Sequence, residues 1–286
     1  MSKNSHLRNL LELNIAVLLI STSGALGRYI DLPVPVVTGL RAIIAAVLLF
    51  AFCMWKKNNF KIKGKDRNAI LWSGVLMAAH WITYFYALKL SNVAIGILSL
   101  FTYPVITSFL EPLILKTKLE KSHLLLGALV LIGIYFLVPD FDLENTYLKA
   151  VGFGVLSAFC YALRNILMKS KVAEYQSTVL MFYQLLVITL LMLPFLFILD
   201  TSGVEAAFPA TLVLGIVTTA IGHTFFVYSL KNFSTATASI IGSTQPVYGI
   251  LIGMLFLGEY PGLSTIFGGS LILASVVIES IRTFKN

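Results

Sequence analysis

The feature that most constrains this chain is a series of apolar runs, each about as long as a membrane-spanning helix, separated by short polar stretches. A bilayer offers no partner to an unpaired backbone N–H or C=O group, so runs of this kind fold as helices. They lie near residues 10–29, 34–55, 69–88, 93–115, 122–138, 149–169, 175–199, 208–229, 235–256 and 263–282. The pattern predicts an all-α integral membrane protein with ten transmembrane helices.

Composition excludes functions that depend on a large soluble domain. Hydrophobic residues make up 58% of the 286 residues and charged residues only 12%, whereas soluble domains are about one-quarter charged. The net charge of +8 is therefore attributed to loops at a membrane surface, and we expect a lipid bilayer, not nucleic acid, as a partner. Cys53 and Cys160 lie in apolar runs, which favours reduced packing residues over a disulfide. No metal site and no cofactor is predicted.

Loop charges predict the orientation of the chain. With the N-terminus in the cytoplasm, 16 Lys and Arg residues fall on the inner side and three, Arg28, Lys89 and Lys149, on the outer side. The first apolar run is interpreted as a span and not as a cleaved signal peptide, because no convincing small-residue cleavage site follows it. Both termini are therefore expected in the cytoplasm, in a multi-pass protein of a bacterial inner membrane.

The chain contains an internal repeat at a constant offset of 142 residues. Identities in register across this offset include Tyr86 and Tyr228, Lys89 and Lys231, Pro104 and Pro246, and Gly127 and Gly269. The repeat predicts two halves of five helices each, residues 1–140 and 145–286. Because five is odd, the second half enters the membrane from the opposite side. Inverted repeats are typical of alternating-access transporters with a substrate site near the midplane.

The third apolar run carries polar and aromatic side chains where lipid would disfavour them. His80 and Tyr84 are four residues apart and share one helix face, while Trp81 lies on another. The repeat aligns Trp81 with His223, so both halves place an imidazole at about the same depth. The alternatives for His80 are to bind solute, to carry a proton, or only to hydrogen-bond a neighbouring helix. The predicted substrate-binding residues are His80, Trp81, Tyr84, His223, Tyr103 and Gln245.

Four further residues are candidates for gates. Pro104 and Pro246 each free a carbonyl in the preceding turn, so each predicts a kink that lines the site, acts as a gate, or serves packing alone. Glu111 and Arg164 lie at similar depth near the cytoplasmic ends of their spans. They are predicted either to form an inner-gate salt bridge or to extend separately to the interface. Glu111 is also considered as a site for a coupling proton, although its shallow depth argues against that role.

Two other features bear on packing. Arg41 lies about seven residues into the second span from the outer side, so it is not expected to pair with Glu111 on the inner side. Gly249 and Gly253 have the GxxxG spacing of closely packed membrane helices, which suggests a tight helix contact or a dimer. We expect a monomer or a weak homodimer.

Motifs of one transporter family occur in both halves: Pro246, Gly258-Glu259 and Gly268-Gly269 in the second, and Arg41 in the first. With these motifs and its two five-helix halves, the chain resembles the drug/metabolite transporter superfamily, and specifically proteins built from two EamA domains. It departs from the pattern at Lys116-Thr117, where a Gly-Glu pair would stand. The histidine in the third span is also similar to that of the branch that exports aromatic amino acids.

These observations favour a secondary-active transporter, an exporter of small neutral or zwitterionic organic metabolites such as amino acids or related amphiphiles. No Walker A loop is present, so ATP is not expected to drive it directly. Sugar phosphates would require more buried Lys and Arg than the spans contain. The alternative is an intramembrane enzyme using His80, His223 and Glu111, but the chain has no HExxH or GxSxG motif and is not predicted to be an enzyme. A sensor would leave the inverted repeat unexplained.

Overall fold

The structure is a computed structural model that describes residues 3–115, 121–138, 145–169, 171–229 and 241–285. Throughout these ranges the chain forms helices joined by turns and short connections, with no strand. This confirms the all-α class that the apolar runs predict.

In the first half the helices are α1 (Lys3–Tyr29), α2 (Val34–Trp55), α3 (Arg67–Leu90), α4 (Val93–Leu100), α5 (Tyr103–Leu115) and α6 (Lys121–Leu137), with a 3₁₀ turn at Gly64–Asp66. In the second half they are α7 (Thr146–Lys169), α8 (Lys171–Glu174), α9 (Ser177–Met192), α10 (Phe195–Ile198), α11 (Val204–Val213), a π-helical segment (Leu214–His223), α12 (Thr224–Ser229), α13 (Gln245–Leu257) and α14 (Leu263–Lys285).

Eight of the predicted spans are found as apolar helices in the described part of the chain. Five have the length and hydropathy to cross a membrane: Val34–Trp55, Val93–Ile114, Thr146–Lys169, Ser177–Ile198 and Val204–Tyr228. Three are apolar but shorter: Leu124–Leu137, Gln245–Leu257 and Leu263–Ile278. Helices α1 and α3 are long but less apolar, because α1 contains a Ser-Thr-Ser cluster and α3 contains the polar residues around His80. The chain is a multi-pass membrane protein.

Helix boundaries follow the repeat found in the sequence. Helices α5 and α13 begin and end at the same offset of 142 residues, and α6 and α14 begin at that offset. Contacts between the halves also come in matched pairs. Helix α2 packs on its repeat equivalent α9, and α6 packs on its repeat equivalent α14. The contact of α3 with α7 is matched by the contact of the π-helical segment with α1, because the π-helical segment is equivalent to part of α3 and α1 is equivalent to α7. This matching describes a pseudo-twofold axis through the centre of the helix bundle.

Both halves interrupt a span at equivalent places. A turn at Phe101–Thr102 separates α4 from α5, and a turn at Ser243–Thr244 precedes α13. Pro104 and Pro246 are each the second residue of the helix that follows. Proline is tolerated there because its missing N–H would have no partner inside the helix. The predicted pair of proline interruptions is confirmed, while their role as gates stays a prediction.

The GxxxG pair lies inside the chain's own bundle. A Cβ atom added at Gly249 would lie 2.7 Å from Ile97 Cδ1, and one added at Gly253 would lie 3.1 Å from Val93 Cβ. These glycines therefore allow α13 to pack closely on α4. This confirms the tight helix contact that the GxxxG spacing suggests, while the choice between a monomer and a weak homodimer stays a prediction.

The π-helical segment approaches α2 closely. A Cβ atom added at Gly215 would lie 2.8 Å from Ile44 Cγ2, so glycine is needed for this approach. Within the segment, Thr219 Oγ1 donates a hydrogen bond to the Leu214 carbonyl oxygen, five residues earlier, at 2.8 Å. π-helical turns are rare and are found frequently at functional sites. The result is that Thr219 faces the middle of the bundle beside α2.

Candidate functional site

Trp81 and His223 mark the centre of the molecule. They are equivalent across the repeat, and their ring centroids are 5.8 Å apart. Two residues related by a pseudo-twofold axis can touch each other only beside that axis. For the predicted inverted repeat this axis would lie in the membrane plane, so the contact stands at the predicted midplane. Both side chains are buried, Trp81 at 1% and His223 at 8% exposure.

His80 bridges the two halves through Ser157 of α7. The His80 Nδ1 atom lies 2.7 Å from Ser157 Oγ, and the same hydroxyl donates to the His80 carbonyl oxygen at 2.8 Å. A serine hydroxyl has one proton, and that proton is already used on the carbonyl. His80 Nδ1 therefore carries the donated hydrogen, which assigns Nε2 of the neutral ring as a hydrogen-bond acceptor.

Two tyrosines contact His80, and a third joins them through a ring contact. The Tyr161 ring of α7 stacks on His80 with centroids 4.6 Å apart, and Tyr84 lies nearly parallel to it at 6.2 Å. Tyr103, at the start of α5, meets Tyr161 edge to face at 4.9 Å. The structure therefore brings His80, Tyr84 and Tyr103 into one aromatic cluster, and it adds Tyr161. Gln245, the repeat counterpart of Tyr103, begins α13 and is half-buried, and no hydrogen bond joins it to this cluster among the described residues.

Arg41 of α2 lies on the other side of Trp81. Its guanidinium carbon sits 4.0 Å from the centroid of the indole ring and 5.3 Å from that of Phe85. Arg41 Nε and Nη2 both donate to Thr219 Oγ1 of the second half, at 3.1 and 2.9 Å. Arg41 was not among the substrate-binding residues predicted from the sequence. The available signal was a lone arginine well inside an apolar run, which is a functional candidate by default.

The predicted salt bridge between Glu111 and Arg164 is wrong. Arg164 Nε and Nη2 donate to Gln184 Oε1 of α9 at 3.0 and 2.7 Å, and Glu111 pairs with Lys169 instead. Lys169 lies further along α7 than Arg164, nearer the end where Glu111 is found. Arg164 is 5% exposed and is held by Gln184 of α9, so similar depth alone did not bring it to Glu111. Glu111–Lys169 still joins the two halves, and its role as a gate stays a prediction.

A second bridge joins the halves at the opposite end. Arg28 Nε of α1 contacts Glu259 Oε1 at 2.9 Å, and Glu259 Oε2 accepts a hydrogen bond from the Val93 backbone N–H at 2.8 Å. That N–H belongs to the first turn of α4, where the helix dipole favours a carboxylate. Glu259 thus holds together α1, α4 and the connection after α13.

The residues of the enzyme alternative are not assembled into a metal site. Glu111 is engaged by Lys169, whereas His80 and His223 lie in the central clusters. Across the described ranges, no three His, Cys, Asp or Glu side chains are arranged to hold a metal ion.

Comparisons with known proteins place the chain among membrane transporters. The model of the EamA-like transporter family matches residues 10–138 and again 148–281. An uncharacterized transporter of Archaeoglobus fulgidus is 27% identical over 242 residues, covering 85% of each chain. The pseudopaline exporter CntI of Pseudomonas aeruginosa is 25% identical over 266 residues, covering 89% of this chain and 88% of its own.

Two further similarities extend over nearly the whole chain. The uncharacterized inner membrane transporter YicL of Salmonella typhimurium is 23% identical, covering 98% of this chain and 97% of its own. A crystal structure of another protein covers all of both chains with a TM-score of 0.69 at 17% identity, which shows a shared fold alone. With two matches that together span most of its length, the chain belongs to the EamA-like transporter family of the drug/metabolite transporter superfamily.

Proposed function

We propose that this protein is a secondary-active exporter of the bacterial inner membrane. Its cargo is a small neutral or zwitterionic organic metabolite, an amino acid or related amphiphile, carried by alternating access. Family membership supports transport, and the similarity to a protein named as an exporter supports the direction. The two EamA matches cover the two halves in turn, as expected of an alternating-access machine built from repeats.

The observation that carries the proposal is the central contact of Trp81 with His223. This contact joins repeat equivalents, so any exchange of packing between the halves must rearrange it. His80 adds a second contact between the halves, through Ser157, although these two residues are not repeat equivalents. Imidazole, phenol and indole groups together suit a solute that has both a polar group and an apolar body.

Side-chain chemistry around the axis is asymmetric although the backbone is nearly symmetric. Gly222 stands at the repeat position of His80, and Ile15 at that of Ser157. The polar contacts of His80 therefore have no counterpart across the axis. A solute bound here would therefore be held in one orientation, because the two sides of the axis offer it different groups.

Bridges between the halves at both ends support alternating access. Arg28–Glu259 lies at the predicted outer end, and Glu111–Lys169 lies at the predicted inner end. Ion pairs that are partly exposed contribute little stability, on the order of 1 kcal/mol or less. Pairs of that strength can open and close repeatedly during a transport cycle.

Counterflow in liposomes tests the proposal. The purified protein is reconstituted, and uptake of labelled solute is measured against a panel of unlabelled amino acids and amphiphilic drugs. We expect exchange of at least one solute, recovered chemically unchanged, and a loss of exchange in His80→Ala with normal yield and monodispersity. Chemical conversion of the solute would instead indicate the intramembrane enzyme.

The same assay addresses the coupling ion. A proton is the candidate coupling ion, and His80 is the central residue that would bind it. We expect a pH jump across the liposome membrane to drive net solute movement, and solute movement that ignores the jump would remove the proton as coupling ion. His80→Ala with wild-type exchange would remove His80 from the site, and no exchange by any condition in the wild type would contradict transport itself.

A further inference from the structure

Arg41 carries its charge at the centre of the molecule, and no acidic side chain in the described part of the chain pairs with it. Its side chain is 0% exposed. The ion pairs within the described ranges join Arg28, Lys63, Lys89, Lys169 and Lys171 to acidic partners, and Arg41 takes part in none of them. Removing an unpaired charge from water costs several kcal/mol even after relaxation. A buried guanidinium in this position therefore needs an anion.

The donors of Arg41 are only partly used. A guanidinium has five N–H donors in a planar fork, and two of them, on Nε and Nη2, go to Thr219 Oγ1. The Nη1 atom is buried and has no hydrogen-bond partner among the described residues. The end-on edge formed by Nη1 and Nη2 can donate one hydrogen bond to each oxygen of a carboxylate.

A second unsatisfied group lies beside it. Thr38 is three residues before Arg41 on α2, so the two side chains lie on the same side of the helix. The Thr38 hydroxyl is fully buried and has no partner among the described residues. A hydroxyl and a guanidinium edge together offer the donors that a carboxylate requires.

Aromatic contacts stabilise the charge but do not neutralise it. A cation over an indole ring gains about 1–2 kcal/mol, which is smaller than the cost of burying the charge. Trp81 also contacts His223, with the two rings tilted by 51°, so the indole links the arginine to the imidazole at the centre of the bundle. Water could fill the open hydrogen bonds of Arg41, but it could not supply the missing negative charge.

We propose that Arg41 binds a carboxylate group of the transported solute. This inference rests on the proposed transport function and narrows its substrate class to solutes that carry a carboxylate. The hydrogen bonds from Arg41 to Thr219 join the first half to the second, so separation of the halves frees those two donors as well. The solute carboxylate and the Thr219 hydroxyl then take turns as hydrogen-bond acceptors of the Arg41 guanidinium as the site opens and closes.

Trp81 provides a built-in reporter for the test. Trp55 and Trp72 are 72% and 60% exposed, whereas Trp81 lies against Arg41. The double variant Trp55→Phe/Trp72→Phe leaves Trp81 as the single tryptophan of the chain. Its emission is titrated in detergent with matched probes: 3-phenylpropionate against 3-phenylpropionamide, and phenylalanine against phenylalaninamide. Chloride and inorganic phosphate at constant ionic strength form a separate arm.

We expect each carboxylate to bind about tenfold or more tightly than its amide, the ratio given by a charge-assisted hydrogen bond. Arg41→Met abolishes this difference, Arg41→Lys keeps part of it, and Arg67→Met, which removes an exposed arginine, keeps all of it. Monodispersity and the Trp81 emission maximum show whether each variant has folded. Should Arg41→Met fail to fold, the Arg41→Lys ratio decides.

Three results would overturn the proposal. The first is equal affinity for a carboxylate and its amide, and the second is no change in Trp81 emission with any carboxylate. The third is binding of chloride or phosphate as tightly as of the carboxylates, which would make this an inorganic anion site. Liposome counterflow separates this failure from failure of the proposed function. Carboxylate binding without exchange contradicts transport and leaves the role of Arg41 intact, while exchange that ignores the carboxylate contradicts only the role of Arg41.

Discussion

Ser157 decides which hydrogen-bonding role His80 can play. Because its hydroxyl proton is used on the His80 carbonyl, Ser157 can only accept from Nδ1, and Nε2 is left to accept from solute. Replacing Ser157 with Ala removes this control and lets the ring rotate or change tautomer. We expect solute exchange in Ser157→Ala to need between about twofold and tenfold more solute, the effect of one neutral hydrogen bond.

Ser275→Ala is the matched control for this prediction. Ser275 is equally buried, but its hydroxyl donates only to Ile272 of its own helix, at 2.6 Å. Half-saturation in liposome counterflow should change in the Ser157 variant and not in the Ser275 variant. Equal behaviour of the two would mean that Ser157 contributes packing and no control over His80.

Residues of the site differ in how far the sequence could predict them. His80, Trp81, Tyr84 and His223 were predicted because polar groups inside apolar runs stand out, and the structure brings them to the centre. The partners were not predictable in the same way. Depth along a helix can be read from a sequence, but the direction in which a side chain points depends on how helices are rotated in the bundle. Glu111 therefore met Lys169 and not Arg164.

At the scale of elements, the connection between α2 and α3 docks on the second half through Asp66. Its carboxylate is 2% exposed, and Lys171 Nζ at 2.6 Å and the Tyr175 hydroxyl at 2.6 Å both donate to it. These hydrogen bonds, that of Lys171 first, hold the pKa of Asp66 below its usual value. The unfolded chain therefore binds more protons at Asp66, and this contribution to stability is present above the unfolded pKa, near pH 4.

We expect Asp66→Asn to lower the thermal unfolding midpoint in detergent at pH 7 by at least about 2 °C. The contribution is lost as the pH falls through the depressed pKa of Asp66. Wild-type and variant midpoints should therefore converge only below about pH 4. The control is Glu174→Gln. Its pair with Lys63 is largely exposed, so its loss should leave the midpoint nearly unchanged. An Asp66→Asn midpoint equal to that of the wild type would contradict the docking role.

Interruptions of helices were predicted where the sequence gives a local cause. Pro104 and Pro246 disfavour a continuous helix, so the breaks before α5 and α13 follow from the residues themselves. The π-helical segment Leu214–His223 has no such local signal. It depends on the tertiary approach of Gly215 to α2, which arises only when the bundle is assembled.

At the scale of the whole molecule, the repeat predicted the architecture because both halves share their helix boundaries and interruptions. The GxxxG spacing predicted a tight contact without naming the partner, and Gly249 and Gly253 make that contact inside the chain. A repeat states which elements are equivalent. The structure was needed to show that equivalent elements such as α2 and α9 pack on each other across an axis.

The inverted orientation of the halves predicts which loops face each side of the membrane. In a background with Cys53→Ala and Cys160→Ala, a single cysteine is introduced at exposed positions, either Lys57 between α2 and α3 or Ser202 before α11. In intact cells, a membrane-impermeant maleimide should label Ser202→Cys and not Lys57→Cys, and permeabilised cells should give equal labelling of both.

Lys57 precedes the third span and Ser202 precedes the eighth, which is its repeat equivalent. If the two positions lie on opposite sides of the membrane, the halves must be inverted. Labelling of both positions in intact cells would contradict the inversion, and labelling of Lys57→Cys alone would reverse the orientation and place both termini outside.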